Sequence, residues 1–168
     1  MKVAIGADHR GAEVLKQIAS FMEQHDIVVL RHDQCNRVEH CDYPDVAYPV
    51  AKAVAAGEAD RGILVCGSGI GMCIAANKLK GVRAAPVHDE IGAEMSRRHN
   101  DTNVLCLAAD LLGIRIIERI VEVWMNTDFE GGRHARRIEK IGAIEDGRSP
   151  SDVPSGDEPS EAATILED

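Results

Sequence analysis

Cys66 stands between an apolar run and a cluster of glycines, in the segment GILVCGSGIGMCIAANK (62–78). A thiol there is a candidate base or nucleophile, because oriented backbone amides stabilise a thiolate that can exchange protons with a substrate. The alternative is a small buried residue at the end of a strand. The glycines at 67, 69 and 71 suit a loop whose amides face an oxygen-rich ligand, or merely a tight strand-to-helix turn.

Spacing excludes three other functions for the glycine-containing loops. The chain has no G-x-x-x-x-G-K-[ST] run, so it lacks the Walker loop of many nucleotide-binding proteins. The first apolar run continues as GADHRG, which does not fit the G-x-G-x-x-G dinucleotide fingerprint. Met72 lies six residues after Cys66, where a cysteine phosphatase would need arginine.

The segment HDQCNRVEHCDYP (32–44) contains the side-chain types that bind zinc. Its spacing lacks the second closely spaced ligand pair of a standard zinc site, which favours a structural or accidental interpretation. A metal-dependent hydrolase built on this cluster is the alternative. The candidate ligands would be His32, Cys35, His40, Cys41 and Asp42.

Two further segments carry candidate polar groups. In SRRHNDTNVL (96–105), His99 is a candidate for acid–base chemistry because histidine suits that role, or it is only a favourable residue at a helix C-terminus. In GGRHARRIEK (131–140), Arg133 and Arg137 share one helical face and could bind a phosphate together, or they belong to a solvated surface.

Short apolar runs alternate with helical patterns along the chain. The runs predict buried strands at 2–8, 27–33, 61–67, 82–88 and 102–108. Periodic apolar residues predict helices at 11–24, 45–57, 70–80, 90–99, 111–126 and 131–143. The alternation predicts a single-domain, doubly wound (Rossmann-like) α/β/α sandwich around a five-stranded parallel sheet.

Such a sheet positions ligands outside the carboxyl ends of its strands, where the strand order reverses. The loops after four strands are therefore candidates for the site. They begin at Asp8, Cys66, His88 and after Ala108. Cys73 and Cys106 fall within a helix and a strand, so we expect both to be core residues.

Composition and charge predict the class of protein and its organisation. The chain has 168 residues, 45% hydrophobic, and a formal charge of −9, which disfavours nonspecific nucleic-acid binding. Seven acidic residues and one arginine fall within 146–168, which predicts a disordered acidic tail after a domain at 1–145. No apolar stretch is long enough for a membrane span, and no signal peptide is evident, so we expect a cytoplasmic protein.

Five segments, taken in order, resemble the ribose-5-phosphate isomerase B (RpiB/LacAB) family over about residues 2–145. They are IGADHRG (5–11), DYPD (42–45), GILVCGSGIGMCIAANK (62–78), RRHNDTNVL (97–105) and FEGGRHARRI (129–138). The resemblance implies interconversion of ribose 5-phosphate and ribulose 5-phosphate through an enediol, without metal or organic cofactor. It also implies a homodimer, in some members a tetramer, whose active sites are shared between subunits.

The resemblance also implies individual roles. Cys66 would be the base that moves a proton between C2 and C1, and His99, from across the dimer, would open the sugar ring. Asp8 would orient the sugar hydroxyls, and Ser68 with the loop amides would hold the oxygen that gains charge. The residues expected to bind the sugar or its phosphate are His9, Tyr43, Gly67, Gly69, Ile70, Gly71, Asn100, Arg133 and Arg137.

One position departs from the family pattern. Many relatives have an arginine that reaches the phosphate shortly after the fifth strand, whereas Asp110 stands there in LAADLLG (107–113). A carboxylate repels a phosphate, so we expect Asp110 to turn away and cap a helix starting at 111. If it does not, preference for a six-carbon sugar phosphate or a free aldose such as allose is the alternative. A noncatalytic phosphate- or nucleotide-binding module is a further one.

Overall fold

The structure is a computed structural model that describes residues 1–32 and 41–155. Their elements follow in the order β1 (Lys2–Ala7), α1 (Ala12–Glu23), β2 (Val28–Arg31), α2 (Tyr43–Ala55), β3 (Arg61–Cys66), α3 (Ile70–Ala76), β4 (Ala84–Pro86), α4 (Glu90–Asn100), β5 (Val104–Ala108), α5 (Ile114–Asn126) and α6 (Arg133–Glu145). A short 3-10 turn, Pro150–Asp152, follows α6. No helix within the described ranges has both the length and the apolar composition needed to cross a bilayer.

The strands form one parallel five-stranded sheet in the order β2-β1-β3-β5-β4. This confirms the predicted α/β fold class. From β1 the chain adds β2 on one side and then β3 on the other, so the strand order reverses between β1 and β3. The carboxyl ends of these two strands meet at Ala7 and Val65, immediately before Asp8 and Cys66.

Alternate residues of the strands pack into two apolar layers, as buried parallel strands require. One layer includes Ile5, Ile63 and Leu105 and is covered by α1, α4 and α5. The other includes Leu64 and is covered by α2 and α3. Predicted strands and helices are therefore all present, and their ends differ from the predictions by a few residues.

The described chain divides into two compact units, Met1–Phe129 and a second unit that begins at Glu130. The sheet and helices α1 to α5 lie in the first unit, and α6 belongs to the second. Within the second unit, the Lys140 ammonium donates to the Pro150 carbonyl oxygen at 3.0 Å. The domain boundary predicted at 146 and the disorder of the acidic tail stay predictions, and residues 156–168 lie outside the described ranges.

Gly11 permits the closest approach between the β1–α1 turn and the sheet. A Cβ atom built on Gly11 would lie 2.6 Å from the Val65 carbonyl oxygen of β3 and 2.8 Å from its carbonyl carbon. Backbone atoms of a central strand cannot move aside as a flexible side chain can. The absence of a side chain at Gly11 therefore lets this turn lie against β3 beside Cys66.

We predict that Gly11→Ala lowers the free energy of unfolding by about 1–3 kcal/mol, because the added methyl group overpacks a rigid contact. Gly113→Ala is the matched control, since a Cβ on Gly113 would meet no atom within 4 Å and its φ of −72° suits alanine. Urea denaturation of both variants measures the difference. Equal stabilities would contradict the close packing at Gly11.

Candidate active site

Cys66 is the last residue of β3 and lies at the carboxyl edge of the sheet, as the sequence predicted. Its side chain belongs to the apolar layer under α2 and α3, and only 5% of the residue is exposed. The thiol is free of any disulfide and also lines a pocket formed by the neighbouring loops. Cys66 thus combines a buried position with access to a ligand.

The Gly69 amide donates a hydrogen bond to the Cys66 Sγ atom at 3.1 Å. Gly69 has φ +75°, a left-handed conformation that glycine adopts without steric cost, and this conformation turns the loop back toward the sulfur. The glycine pattern predicted a loop with inward-facing amides, and the Gly69 amide points at the Cys66 thiol. Ser68, next to it, accepts a hydrogen bond from the Ile70 amide at 3.4 Å.

Asp8 is a buried carboxylate beside Cys66, with 6% of the residue exposed. Its Oδ1 atom accepts hydrogen bonds from the Arg10 amide at 2.9 Å and the Gly11 amide at 3.1 Å. Its own amide donates to the Val65 carbonyl oxygen at 3.2 Å. The side chain therefore shapes the turn after β1 and is joined through the backbone to β3.

We name the cavity at this edge the Cys66 pocket; its volume is about 360 Å³. One wall is the ring of Tyr43, which packs so closely on Gly71 that a Cβ there would lie 2.7 Å from the ring. The lining residues are Asp8, Tyr43, Cys66, Gly67, Ser68, Gly71, Asp110 and Leu111. Four loops or helix starts that are distant in sequence thus converge on one cavity.

The prediction that Asp110 caps a helix starting at 111 is wrong. Helix α5 begins at Ile114, its N-terminal cap is Gly113, and no side chain caps it. The Asp110 carboxylate instead accepts a hydrogen bond from Arg10 Nε at 2.6 Å. The ion pair with Arg10, which follows β1, takes the place of the predicted hydrogen bond between Asp110 and a helix N-terminus.

His99 and Asn100 are at the C-terminus of α4, away from Cys66 in the same chain. Helix α4 leads into β5, whose first residue Val104 pairs with Gly62 while its last residue pairs with Cys66. Four residues of strand separate these edges by roughly 13 Å at about 3.3 Å per residue. His99 therefore lies toward the amino edge of the sheet, and it does not line the Cys66 pocket.

A buried polar network holds the end of α4. The Arg97 guanidinium donates from Nη1 to Asp101 Oδ1 at 2.8 Å and to the Thr102 carbonyl oxygen at 2.6 Å. The Trp124 indole donates to Thr102 Oγ1 at 3.0 Å, and Arg97 and Arg61 both lie over the Trp124 ring. Burial lowers the pKa of Arg61 to about 10, and the charge of Arg97 adds to that effect.

The remaining predicted residues are distributed over several places. His9 follows Asp8 and is exposed, and Ile70 is 53% exposed at the start of α3; neither is among the residues that line the Cys66 pocket in the described chain. Arg133 and Arg137 are both exposed, one turn apart on α6 of the second unit. Their roles in binding stay predictions.

Cys73 and Cys106 are buried, with 8% and 1% of each residue exposed, which confirms that both are core residues. A hydrogen bond with Cys73 raises the pKa of Cys106, and burial raises it further. Of the proposed zinc ligands, Cys35 and His40 lie outside the described residues, so the zinc alternative stays untested. Cys41 is disulfide-bonded, which leaves Cys66, Cys73 and Cys106 as the free thiols in the described ranges.

Known proteins share both the sequence and this fold. The family described as Ribose/Galactose Isomerase matches residues 3–141. The chain belongs to this family. The match covers the first unit from residue 3 onward, including every residue of the Cys66 pocket.

Two relatives of this chain have names that contain different sugar phosphates. Ribose-5-phosphate isomerase B of Escherichia coli is 42% identical over 148 residues, which cover 88% of this chain and 99% of the relative. D-erythrulose-4-phosphate isomerase of Pectobacterium atrosepticum is 40% identical over 145 residues, covering 86% of this chain and 95% of the relative.

A solved structure of the same family has a bound sugar phosphate. Ribose-5-phosphate isomerase B of Mycoplasma genitalium, with bound ribulose-5-phosphate, superposes with a TM-score of 0.83 at 39% identity. The alignment covers 86% of this chain and 96% of that one. This chain therefore has the same fold as that isomerase.

Sequence reasoning missed Arg10 and Leu111 as neighbours of the site. Arg10 lies within the IGADHRG segment but has no predicted role, because its contact with Asp110 joins positions 100 residues apart. Leu111 was assigned to a helix, whereas it lies in the turn before α5 and lines the pocket.

We predict that Asp8→Ala lowers the free energy of unfolding by about 1–3 kcal/mol, because the buried Gly11 amide and the part-buried Arg10 amide lose their acceptor. Asp8→Asn is the matched control, because its amide oxygen can still accept from Arg10 and Gly11. Urea denaturation of the two variants tests this. A loss in Asp8→Asn as large as in Asp8→Ala would show that the negative charge, and not the acceptor, stabilises the turn.

Proposed function

We propose that the chain is an aldose-ketose isomerase that interconverts ribose 5-phosphate and ribulose 5-phosphate through a cis-enediolate. Membership in the ribose/galactose isomerase family supports the reaction class. The ribulose-5-phosphate bound to the Mycoplasma genitalium relative supports the substrate. The observation that carries the proposal is the Cys66 sulfur, which faces a pocket and accepts a hydrogen bond from the Gly69 amide.

Cys66 is the proposed base. Its thiolate takes the proton from C2 of the open-chain aldose, and negative charge develops on O1. The same sulfur returns the proton to C1 while the hydroxyl proton moves from O2 to O1, which gives the ketose. One base serves both carbons because they lie on the same side of a cis-enediol. The Gly69 amide donates to the anionic sulfur before the first transfer and after the second.

The developing oxyanion needs donors that the sulfur does not already use. Because the Gly69 amide donates to Sγ, we assign the oxyanion to the Ser68 hydroxyl and the amides of Gly67 and Gly71. Gly67, Ser68 and Gly71 line the pocket together with Cys66. Preorganised donors of this kind accelerate proton abstraction because they stabilise charge that appears only in the transition state.

The remaining groups bind and orient the substrate. Asp8 accepts from the sugar hydroxyls, and Tyr43 and Ile70 contact the sugar, as does Asn100 of the partner subunit. The phosphate is held by His9 and by the guanidinium groups of Arg133 and Arg137, whose positive charge suits a dianion. A phosphate that does not react contributes binding energy that positions the carbon atoms for proton transfer.

We further propose that the active enzyme is a homodimer and that His99 reaches the Cys66 pocket of the partner subunit to open the sugar ring. The location of His99 toward the amino edge of its own sheet supports this, because Cys66 lies at the carboxyl edge. An exposed apolar surface beside the pocket also supports association: Tyr43, Tyr48, Ile70 and Ile74 are each more than 40% exposed.

The proposed function predicts that the protein isomerises ribose 5-phosphate after chelator treatment and that Cys66→Ala lowers kcat by about 1,000-fold, since a base contributes roughly 10²–10⁴-fold. Substrate affinity should change little. Allose 6-phosphate, D-erythrulose 4-phosphate and free allose are assayed alongside. If only another sugar is turned over, that sugar replaces ribose 5-phosphate as the proposed substrate. If ribose 5-phosphate binds and no sugar is turned over, the result favours a phosphate-binding module.

A mixture of two inactive variants tests the shared site. Cys66→Ala and His99→Ala are each expected to be inactive as pure proteins. After subunit exchange at equal amounts, half of the dimers are mixed and have one intact site, so about a quarter of the parent activity should return. A mixture that stays inactive, while mass spectrometry detects mixed dimers, would place Cys66 and His99 of one site in the same chain.

A further inference from the structure

Arg10 and Asp110 form an ion pair at the edge of the Cys66 pocket. Arg10 follows β1 and Asp110 follows β5, and Nε of one lies 2.6 Å from Oδ2 of the other. The side chains are 56% and 38% exposed, and Asp110 lines the pocket. The pair thus joins two loops whose residues are 100 positions apart in sequence.

The pair lies directly over Gly67, the residue after Cys66. A Cβ on Gly67 would be 2.6 Å from Asp110 Oδ2 and 3.1 Å from Arg10 Nε. The absence of a side chain at Gly67 therefore leaves the space that both charged groups occupy. Their charges are held within reach of a ligand that enters the pocket.

Both residues are also fixed through their backbones to the loops of the pocket. The Arg10 amide donates to Asp8 Oδ1 at 2.9 Å, and the Asp110 amide donates to the Gly67 carbonyl oxygen at 3.1 Å. Most surface ion pairs join mobile side chains and contribute little. This one connects two anchored turns, so its geometry is set by the same contacts that shape the pocket.

The guanidinium retains donors for a second anion. Only Nε is used by Asp110, and among the described residues neither Nη1 nor Nη2 has a hydrogen-bond partner. The bond to Asp110 raises the pKa of Arg10, so the group is cationic throughout the range in which enzymes work. A planar guanidinium held at one edge presents its other edge to a phosphate, which it can bind in a bidentate manner.

We propose that Arg10 binds the substrate phosphate and that Asp110 is its positioning residue, so that an aspartate at the pocket assists phosphate recognition by holding an arginine in place. The proposal rests on the proposed function and deepens it by assigning two residues to phosphate specificity. Without Arg10, the Asp110 carboxylate only repels a phosphate dianion.

Binding measured in the Cys66→Ala background tests the proposal without turnover. Isothermal titration calorimetry compares ribose 5-phosphate, inorganic phosphate and unphosphorylated ribose. Arg10→Ala should weaken binding of both phosphate ligands about tenfold, because a charged hydrogen bond is lost, and leave ribose unaffected. Arg119→Ala is the matched control, since Arg119 on α5 is also 56% exposed and is ion-paired with Glu90 of α4 and Glu122 of α5.

The effect of Asp110→Ala on phosphate affinity should have opposite signs when residue 10 is arginine and when it is alanine. When Arg10 is present, Asp110→Ala should weaken phosphate binding several-fold and Asp110→Glu should restore part of it. When Arg10 is already alanine, Asp110→Ala should tighten binding, because only a repelling charge is removed. A merely structural ion pair predicts no such reversal, and circular dichroism confirms that each variant is folded.

Three results would overturn the proposal: phosphate ligands that bind Arg10→Ala as tightly as the parent, an Asp110→Ala change that tightens binding in the presence of Arg10, or no phosphate binding in the Cys66→Ala background. Failure of the proposed function gives a different result. In that case the parent converts no ribose 5-phosphate, while binding of inorganic phosphate still depends on Arg10 and Asp110.

Discussion

The close contact between the β1–α1 turn and β3 determines where the polar groups of this protein lie. The Asp8 amide donates to the Val65 carbonyl oxygen, and Gly11 packs against the same peptide group. Because Val65 immediately precedes Cys66, this contact holds a carboxylate and a thiol side by side at the point where the strand order reverses. Parallel sheets form ligand sites at such points because adjacent loops there diverge to opposite faces.

The sequence was sufficient to predict this edge of the sheet. Apolar runs mark buried strands, and the residue that ends each run falls at the carboxyl edge, which identifies Asp8 and Cys66 from the sequence. The glycines at 67, 69 and 71 predicted a loop with inward-facing amides, and the Gly69 amide does face the sulfur. These inferences succeeded because each depends on residues that are near one another in the chain.

Contacts between distant segments were not predictable in the same way. Local preference favoured Asp110 as a helix cap, yet its carboxylate pairs with Arg10, and α5 starts four residues later. Local propensity is a weak guide wherever tertiary contacts offer a stronger partner. The network around Trp124 was also missed, because Arg61, Arg97 and Trp124 come from β3, α4 and α5, which are far apart in sequence.

The ion pair between Arg10 and Asp110 constrains which substitutions the two positions tolerate. The two side chains meet in space, so a change at one alone leaves the other charge unpaired beside the pocket. Under the proposed role of Arg10, the pair places a cation beside the pocket from the loop after β1, where an arginine at 110 would place it from the loop after β5. Because the two side chains form an ion pair, we expect positions 10 and 110 to covary among family members.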